Sequence, residues 1–96
     1  MNLNKNDYNI LETLYTNQCI TKICSFTKQK IAEKCNLSVF KITASMKIFI
    51  NMNLVCEGAK DERAKTYYLT EQGIELIENI REENARIFEL KQRMEE

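Results

Sequence analysis

The fold is decided by residues 27–52, which read TKQKIAEKCNLSVFKITASMKIFINM. Thr27 and Ser38 each follow an apolar residue and are followed, four positions later, by another, which is the signature of a capped helix start with a hydrophobic staple. Asn36 tolerates the left-handed backbone conformation that ends many helices. The stretch therefore predicts two helices separated by a three-residue link, which is the helix-turn-helix pattern.

The rest of the chain supplies short strands and two further helices. A polar stretch at 59–64 separates two strand-like segments, which predicts a hairpin, or wing. The predicted elements are a helix capped by Asn6 or Asp7 and ending near Asn17, a short strand at 23–26, helices at 28–35 and 39–52, strands at 54–58 and 65–69, and a helix over 71–94 capped by Thr70. We expect one mostly α domain over 1–96 with a small β-hairpin (α+β), in which the helix-turn-helix spans about 27–52 and the wing about 54–69.

The composition excludes several kinds of protein. The 96 residues are 44% hydrophobic and 29% charged, with no His, Pro or Trp, which is typical of a globular domain. Without His, a serine triad, a papain-like pair and a His-ligated metal site are excluded, so we expect no enzyme, no cofactor and no metal. No apolar run is long enough to span a membrane and no secretory signal is present, so we expect a cytoplasmic protein without a membrane partner.

The four cysteines form no C-x-x-C pair. In a reducing compartment we expect them to be free thiols, mostly small core residues. A redox-sensing or thiolate-metal role stays open at this point.

Charge is distributed unevenly along a chain whose net charge is zero. Residues 1–65 carry ten Lys or Arg against six Asp or Glu, whereas residues 66–96 carry four against eight. Six of the lysines fall within 22–47. This distribution favours a polyanion as the partner of the first part and a different task for the acidic second part, although solvated surface lysines explain it as well.

The second helix of the helix-turn-helix is apolar on two opposite sides. At 100° per residue, the core side holds Ile42, Met46 and Phe49, and the opposite side holds Phe40, Ala44 and Ile48. A helix that is apolar on both sides is expected to be buried on both. Either the second stripe packs against the N-terminal segment or the last helix of the same chain, or it meets the same stripe of a second copy in a homodimer.

The order helix, helix-turn-helix, hairpin, long helix is that of a winged helix domain. Residues 26–77 resemble the winged helix DNA-binding domains of MarR- and ArsR-like regulators, and the pieces that carry the resemblance are residues 27–34, Leu37-Ser38, Asn53-Leu54-Val55 and Tyr68-Leu69-Thr70-Glu71-Gln72-Gly73. The small size, the apolar recognition helix, the basic wing and the unbroken last helix are similar to the TubR family. That family comprises the centromere-binding adaptors of plasmid and phage partition systems that use a tubulin-like GTPase.

The TubR resemblance implies a partner set and a list of contact residues. It implies a homodimer through the recognition helices, wings in the flanking minor grooves, arrays on tandem repeats of double-stranded DNA, and capture of the GTPase filament; repression of the protein's own operon is expected as well. The implied DNA contacts are Thr27, Lys28, Lys30, Ser38, Lys41, Thr43, Lys47, Lys60, Arg63 and Lys65, and the implied dimer contacts are Phe40, Ala44 and Ile48. Asp61 and Glu62 depart from this pattern, because they interrupt the positive charge of the wing and would repel phosphates if they pointed at the DNA.

Two other functions fit the same sequence. One is a MarR- or ArsR-like transcriptional regulator that senses a ligand, a metal or thiol oxidation, although no effector site is visible. The other is a winged helix used only as a protein–protein interaction module. For the last helix, we expect either that its later turns project into solvent or that they form a second dimer contact or an acidic docking surface.

Overall fold

The computed structural model describes residues 3–94. Its elements, in chain order, are α1 (Lys5–Thr16), β1 (Phe26–Thr27), α2 (Lys28–Cys35), α3 (Val39–Asn51), β2 (Val55–Glu57), β3 (Thr66–Leu69) and α4 (Glu71–Met94). The three strands form an antiparallel sheet in the order β1-β3-β2. The predicted fold class is confirmed: four helices carry a small sheet whose β2–β3 hairpin is the wing.

The ends of the helix-turn-helix are those that the sequence predicts. The Thr27 hydroxyl oxygen accepts a hydrogen bond from Lys30 N at 3.2 Å, and the Ser38 hydroxyl oxygen accepts one from Lys41 N at 3.1 Å. Asn36 ends α2 in the left-handed conformation with φ 57°. These contacts are local, because each joins residues three or four positions apart, and the sequence pattern therefore locates them correctly.

The start of α4 is also as predicted, and it depends on a glycine. Thr70 Oγ1 accepts a hydrogen bond from Gly73 N at 3.1 Å, which caps the helix. A Cβ atom at position 73 would collide with the backbone oxygen of Leu54. The absence of a side chain therefore lets the first turn of α4 approach the segment that precedes β2.

The predicted cap of α1 is wrong. The helix is capped by Asn4, whose side chain accepts a hydrogen bond from Asp7 N at 2.9 Å, while the Asp7 carboxylate accepts one from Asn4 N at 3.3 Å. Asp7 therefore closes a reciprocal capping box from the third helical position rather than capping the helix itself. The helix begins at Lys5, earlier than either predicted cap allows.

The predicted strand at 23–26 is also wrong in position. Thr21 Oγ1 accepts a hydrogen bond from Cys24 N at 3.0 Å, which turns the chain back on itself, and the Ile23 side chain is 88% exposed. The strand begins only at Phe26, where the chain can pair with Tyr67 of β3. Pairing with β3, rather than the local propensity for strand, sets the position of β1.

One apolar core joins all four helices to the sheet. Its most buried members are Ile10, Leu11 and Leu14 of α1, Ile31 of α2, Ile42, Met46 and Phe49 of α3, Leu69 of β3 and Ile77 of α4, each at most 1% exposed. The inner side of α3 is therefore in the core, as predicted. Among the described residues, no helix combines the length and the apolar composition that crossing a membrane requires.

The long helix α4 has a packed half and a projecting half. Ile77 is fully buried and Ile80 partly buried, whereas every residue from Arg81 to Met94 is exposed. Arg81 marks the edge of the domain: its guanidinium group is bonded to Glu12 and lies 4.5 Å from the centre of the Tyr15 ring. Residues 81–94 are called the arm below.

Candidate nucleic-acid interface

The starts of α2 and α3 meet the wing beside its tip turn, at Ala64 and Lys65, on one side of the molecule. They line a cleft of about 310 Å³, formed by Thr27, Lys28, Gln29, Val39, Ala64 and Lys65. Helix N-termini carry free backbone N–H groups and the positive end of the helix dipole, both of which favour phosphate. The fold therefore brings together three of the segments that the sequence proposes for DNA contact.

At the start of α3, the predicted DNA-contact residues differ in whether their side chains are available to bind DNA. Ser38 uses its hydroxyl oxygen to cap the helix, which leaves its O–H available to donate. Thr43 donates its O–H to the Val39 carbonyl oxygen at 2.9 Å, so its hydroxyl is turned toward its own helix. Lys41 lies between them on the first turn and is partly exposed. Ser38 and Lys41 are thus better placed than Thr43 to reach DNA.

Aromatic rings lie under the lysines of α2. The Lys30 Nζ atom is 4.5 Å from the centre of the Phe26 ring, and the Lys34 Nζ atom is 5.7 Å from the same ring. The Lys28 Nζ atom lies 5.9 Å from the centre of the Tyr67 ring in β3. An ammonium group over a ring face is attracted by the ring quadrupole. Of these three cations only Lys28 lines the cleft, whereas Lys34 lines a separate groove with Glu12 and Thr13 of α1.

The wing ends in a tight turn that exposes Arg63. Asp61 and Ala64 exchange two backbone hydrogen bonds of 3.1 and 3.0 Å, which leaves Glu62 and Arg63 at the tip. Lys65 Nζ lies 3.4 Å from Glu57 Oε1, so its charge is partly compensated within the wing. Within residues 3–94, Lys60 and Arg63 make no such ion pair. Among the described residues of the wing, the two cations without an ion pair are therefore the two nearest the tip. In the sequence they flank Asp61 and Glu62.

Lys47 is not part of the cleft. It lies nine residues after Ser38, which at 1.5 Å per residue places it roughly 13 Å further along α3. Its side chain is exposed. Lys47 lies beside the second apolar stripe rather than at the helix start.

The structure adds Lys22 to the residues near the wing, and the sequence-based list omits it. Its backbone oxygen accepts hydrogen bonds from Ala59 N at 2.9 Å and from Ser25 Oγ at 3.1 Å. A Cβ atom at Gly58 would lie 2.5 Å from Ser25 Oγ, so glycine is what lets this loop press against the base of the wing. Gly58 at the end of a strand indicates close backbone approach, but the sequence pattern does not say which loop approaches it.

The second stripe of α3 is exposed. Phe40 is 86% exposed, Ile48 is 48% exposed and Ala44 is exposed between them, whereas Ile42 and Phe49 on the inner side are fully buried. The alternative in which the same chain covers this stripe is therefore wrong for the part of the chain that the structure describes.

The thiols are split between the core and the surface. Cys19 and Cys35 are buried, Cys56 is half-buried and Cys24 is exposed. Burial raises the pKa of the Cys19 thiol to about 11 and also raises the pKa of Cys35. Both buried thiols therefore stay protonated and unreactive near neutral pH. Across residues 3–94, no three Cys, Asp or Glu side chains are grouped as metal ligands would be.

Comparison with known proteins identifies relatives of this chain. No model of a known protein family matches it. Over 80 residues it is 41% identical to the DNA-binding protein TubR of a Clostridium botulinum C phage, a match that covers 83% of this chain and 99% of that protein. The solution structure of the DNA-binding TubR fragment from Clostridium botulinum has the same identity and coverage and a TM-score of 0.70.

A more distant structure shares the fold alone. The MepR–DNA complex of Staphylococcus aureus is 19% identical to this chain, with a TM-score of 0.76 over 96% of this chain and 73% of that one. The fold and the relatives agree with the resemblance that the sequence carries. This chain belongs to the TubR family of winged helix DNA-binding proteins.

Proposed function

We propose that this protein is the DNA-binding adaptor of a plasmid or phage partition system. It binds tandem centromere repeats as a dimer, links them to a filament of a tubulin-like GTPase, and represses its own operon. It acts in the cytoplasm, where its DNA is, and performs no reaction of its own. The observation that carries the proposal is the exposed apolar stripe on α3, beside a basic face formed by two helix starts and a wing.

The stripe supports a dimer because leaving it in water forgoes favourable burial. Full burial of a side chain such as Phe or Ile is worth about 1.5–3 kcal/mol. Ala44 lies between Phe40 and Ile48, and a small residue there lets two helices approach to the usual 8–10 Å between axes. Two α3 helices crossing at Ala44 carry their N-terminal turns side by side. The pair then enters one groove together rather than two grooves a turn apart.

Phosphate contact supplies most of the DNA affinity in this arrangement, because few side chains reach base edges. The cations proposed for phosphate contact are Lys28, Lys30, Lys60, Arg63 and Lys65; Lys47 is left out because it lies beside the stripe that the proposed dimer buries. In a dimer they neutralise about ten phosphates, which predicts a slope of log K against log salt on the order of −9. Compensation of Lys65 by Glu57 makes the slope somewhat shallower. Arg63 at the wing tip is placed to enter a narrow minor groove, where the negative potential is enhanced.

The wing contact is tested by replacing Arg63 with Ala and measuring binding to repeat DNA over a range of salt concentrations. We expect weaker binding and a slope reduced by about two, one phosphate for each copy in the dimer. Arg86→Ala is the matched control, because Arg86 is an exposed arginine of the arm, where it pairs with Glu82. Equal affinity and slope in the Arg63→Ala and Arg86→Ala variants, or a wild-type slope shallower than about −3, contradicts the electrostatic account.

The α3 contact is tested by a short bis-maleimide cross-linker. In a Cys24→Ser background, which removes the exposed native thiol, Ala44→Cys is expected to give covalent dimers. Ala85→Cys, on the far side of the arm's helix, serves as the control for random collision. Absence of cross-linked Ala44→Cys chains, on or off DNA, overturns the α3 dimer.

The adaptor role is tested by co-sedimentation. Labelled repeat DNA is expected to pellet with filaments of a tubulin-like GTPase only when this protein is present. Footprinting distinguishes the alternative regulator: protection of many consecutive repeats supports the adaptor, whereas one short palindrome saturated by one dimer contradicts it.

A further inference from the structure

The loop between α1 and β1 is tied to the wing by hydrogen bonds. Its residues 21–25 are called the strap below. The backbone oxygen of Lys22 in the strap accepts a hydrogen bond from Ala59 N at 2.9 Å, just past the end of β2. Ser25 Oγ lies 3.1 Å from the same oxygen and 2.8 Å from Thr66 Oγ1 in β3. Thr66 Oγ1 in turn donates to the Ala59 carbonyl oxygen, so the strap is joined to both sides of the hairpin.

The strap and the basic cleft lie on opposite faces of the wing sheet. Successive side chains of a strand point to opposite faces. In β3, Tyr67 faces α2, where the Lys28 ammonium group lies over its ring, and the preceding Thr66 faces the strap. Lys65, two positions before Tyr67, shares its face and lines the cleft. Thr66 and Tyr67 are both 3% exposed, so the sheet is covered by helices on one face and by the strap on the other.

A glycine makes room for the strap. Gly58 N donates to the Thr66 carbonyl oxygen at 2.9 Å, which places Gly58 beside Thr66 in the hairpin. A Cβ atom at position 58 would lie 2.5 Å from Ser25 Oγ and 2.8 Å from the Lys22 backbone oxygen. Both distances are shorter than a nonbonded contact allows, so any side chain there would displace the strap. The position of the strap is therefore set by its fit against the wing.

The strap adds a cation to the outer face of the wing. Lys22 is exposed, and it makes no ion pair within the described part of the chain. Residues 13–32 contain no Asp or Glu. Glu57 in β2 is paired with Lys65 on the other face of the sheet. The charge of Lys22 is therefore available to a partner outside the domain.

We infer that the strap is a second DNA-contact element of the wing, in which Lys22 binds a phosphate on the strand opposite to the one that Lys65 contacts. The inference rests on the proposed function, in which the wing enters a minor groove. This groove is about 6 Å wide in B-DNA, so a wing that enters it has the phosphates of one strand on each side. Cations on both faces of the sheet then bind both strands, whereas cations on one face reach one strand alone.

The contact is tested by Lys22→Ala in the full chain, with binding to repeat DNA measured over a range of salt concentrations. Lys22 is joined to the wing through its backbone oxygen, so alanine leaves the strap in place. We expect a slope of log K against log salt shallower by about two than in the wild type, one phosphate for each copy in the dimer. Lys34→Ala is the matched control, because Lys34 is an exposed lysine at the end of α2, in a groove with α1.

Comparison with Arg63→Ala separates the failure of this inference from the failure of the proposed function. If Arg63→Ala reduces the slope and Lys22→Ala behaves like Lys34→Ala, the wing contact stands and the strap contact is overturned. If neither Arg63→Ala nor Lys22→Ala reduces the slope, both contacts are overturned. Circular dichroism checks that each variant is folded.

The side of the groove is tested by directed cleavage of DNA that carries a single dimer site. Cys24 is an exposed thiol of the strap, and an iron–EDTA reagent attached to it generates hydroxyl radicals beside Lys22. Ala64→Cys in a Cys24→Ser background places the same reagent in the cleft. We expect the two reagents to cut opposite strands of the same minor groove most strongly.

The Cys24→Ser protein, treated with the same reagent, is the control for modification of the half-buried Cys56. Strongest cutting of the same strand from both positions overturns the inference. So does a pattern from the Cys24-labelled protein that does not exceed that of the Cys24→Ser control.

Discussion

The two sides of α3 have nearly the same composition and opposite surroundings. Ile42, Met46 and Phe49 on the inner side are at most 1% exposed, whereas Phe40 is 86% exposed and Ile48 48% exposed on the outer side. The core needs one apolar side of a helix, and the second adds nothing to the fold of a single copy. The difference teaches that folding of a single copy accounts for only one of the two apolar sides, and the dimer proposed above would account for the other.

The largest expected difference between the two sides concerns their phenylalanines. Phe49→Ala leaves a cavity in the core and is expected to lower the free energy of unfolding by about 3–5 kcal/mol. Phe40→Ala removes an exposed ring and is expected to change it by no more than about 0.5 kcal/mol. The measurement is chemical denaturation at submicromolar protein, where association contributes little. A large loss in Phe40→Ala would mean that the outer stripe belongs to the core.

The contrast between a buried and an exposed position also applies to two cysteines, Cys19, which is buried, and Cys24, which is exposed. Burial raises the pKa of Cys19 from 9.0 to about 11. Between these pH values the unfolded chain releases the thiol proton and the folded chain retains it, so stability falls as pH rises, by up to about 2–3 kcal/mol near pH 11. Urea unfolding at pH 8 and pH 10.5 measures this loss. We expect Cys19→Ala to remove most of it and Cys24→Ala to leave it unchanged.

The smallest expected difference separates two neighbouring small residues. Ser45 Oγ donates a 2.7 Å hydrogen bond to Asp7 Oδ1, and both side chains are buried. Ser45→Ala deprives the buried carboxylate of this donor and is expected to cost about 1–2 kcal/mol. Ala44→Ser, one residue away on the outer side, is expected to change the free energy of unfolding by less than about 0.5 kcal/mol. Equal effects in thermal unfolding would show that the sides differ less than their exposure indicates.

Local signals account for most of what was predicted correctly. The caps at Thr27, Ser38 and Thr70 join each hydroxyl to a backbone N–H three residues on. Such contacts are present wherever the local pattern is present, so the sequence alone locates the helix starts. The sequence left two alternatives open for the end of α4, and the exposure of residues 81–94 agrees with the alternative in which its later turns project.

The candidate site was predicted in part. The cleft joins Thr27, Lys28 and Lys65, which the sequence proposes as DNA contacts, and it leaves out Lys47. Lys22 was missed because its position depends on the fit of a loop against Gly58, which no local pattern encodes. The first strand was predicted in the wrong place for the same reason, since its bounds are set by pairing with β3.

What the sequence determined by itself is the set of elements and the two-sided apolar character of α3, because both depend on residues within a few positions of one another. The tertiary structure decided which of the two sides is covered and where α1 begins. Asp7 closes the cap at Asn4 while accepting a hydrogen bond from Ser45, 38 residues away. Contacts over such distances exist only once the chain has folded, and for that reason no local pattern contains them.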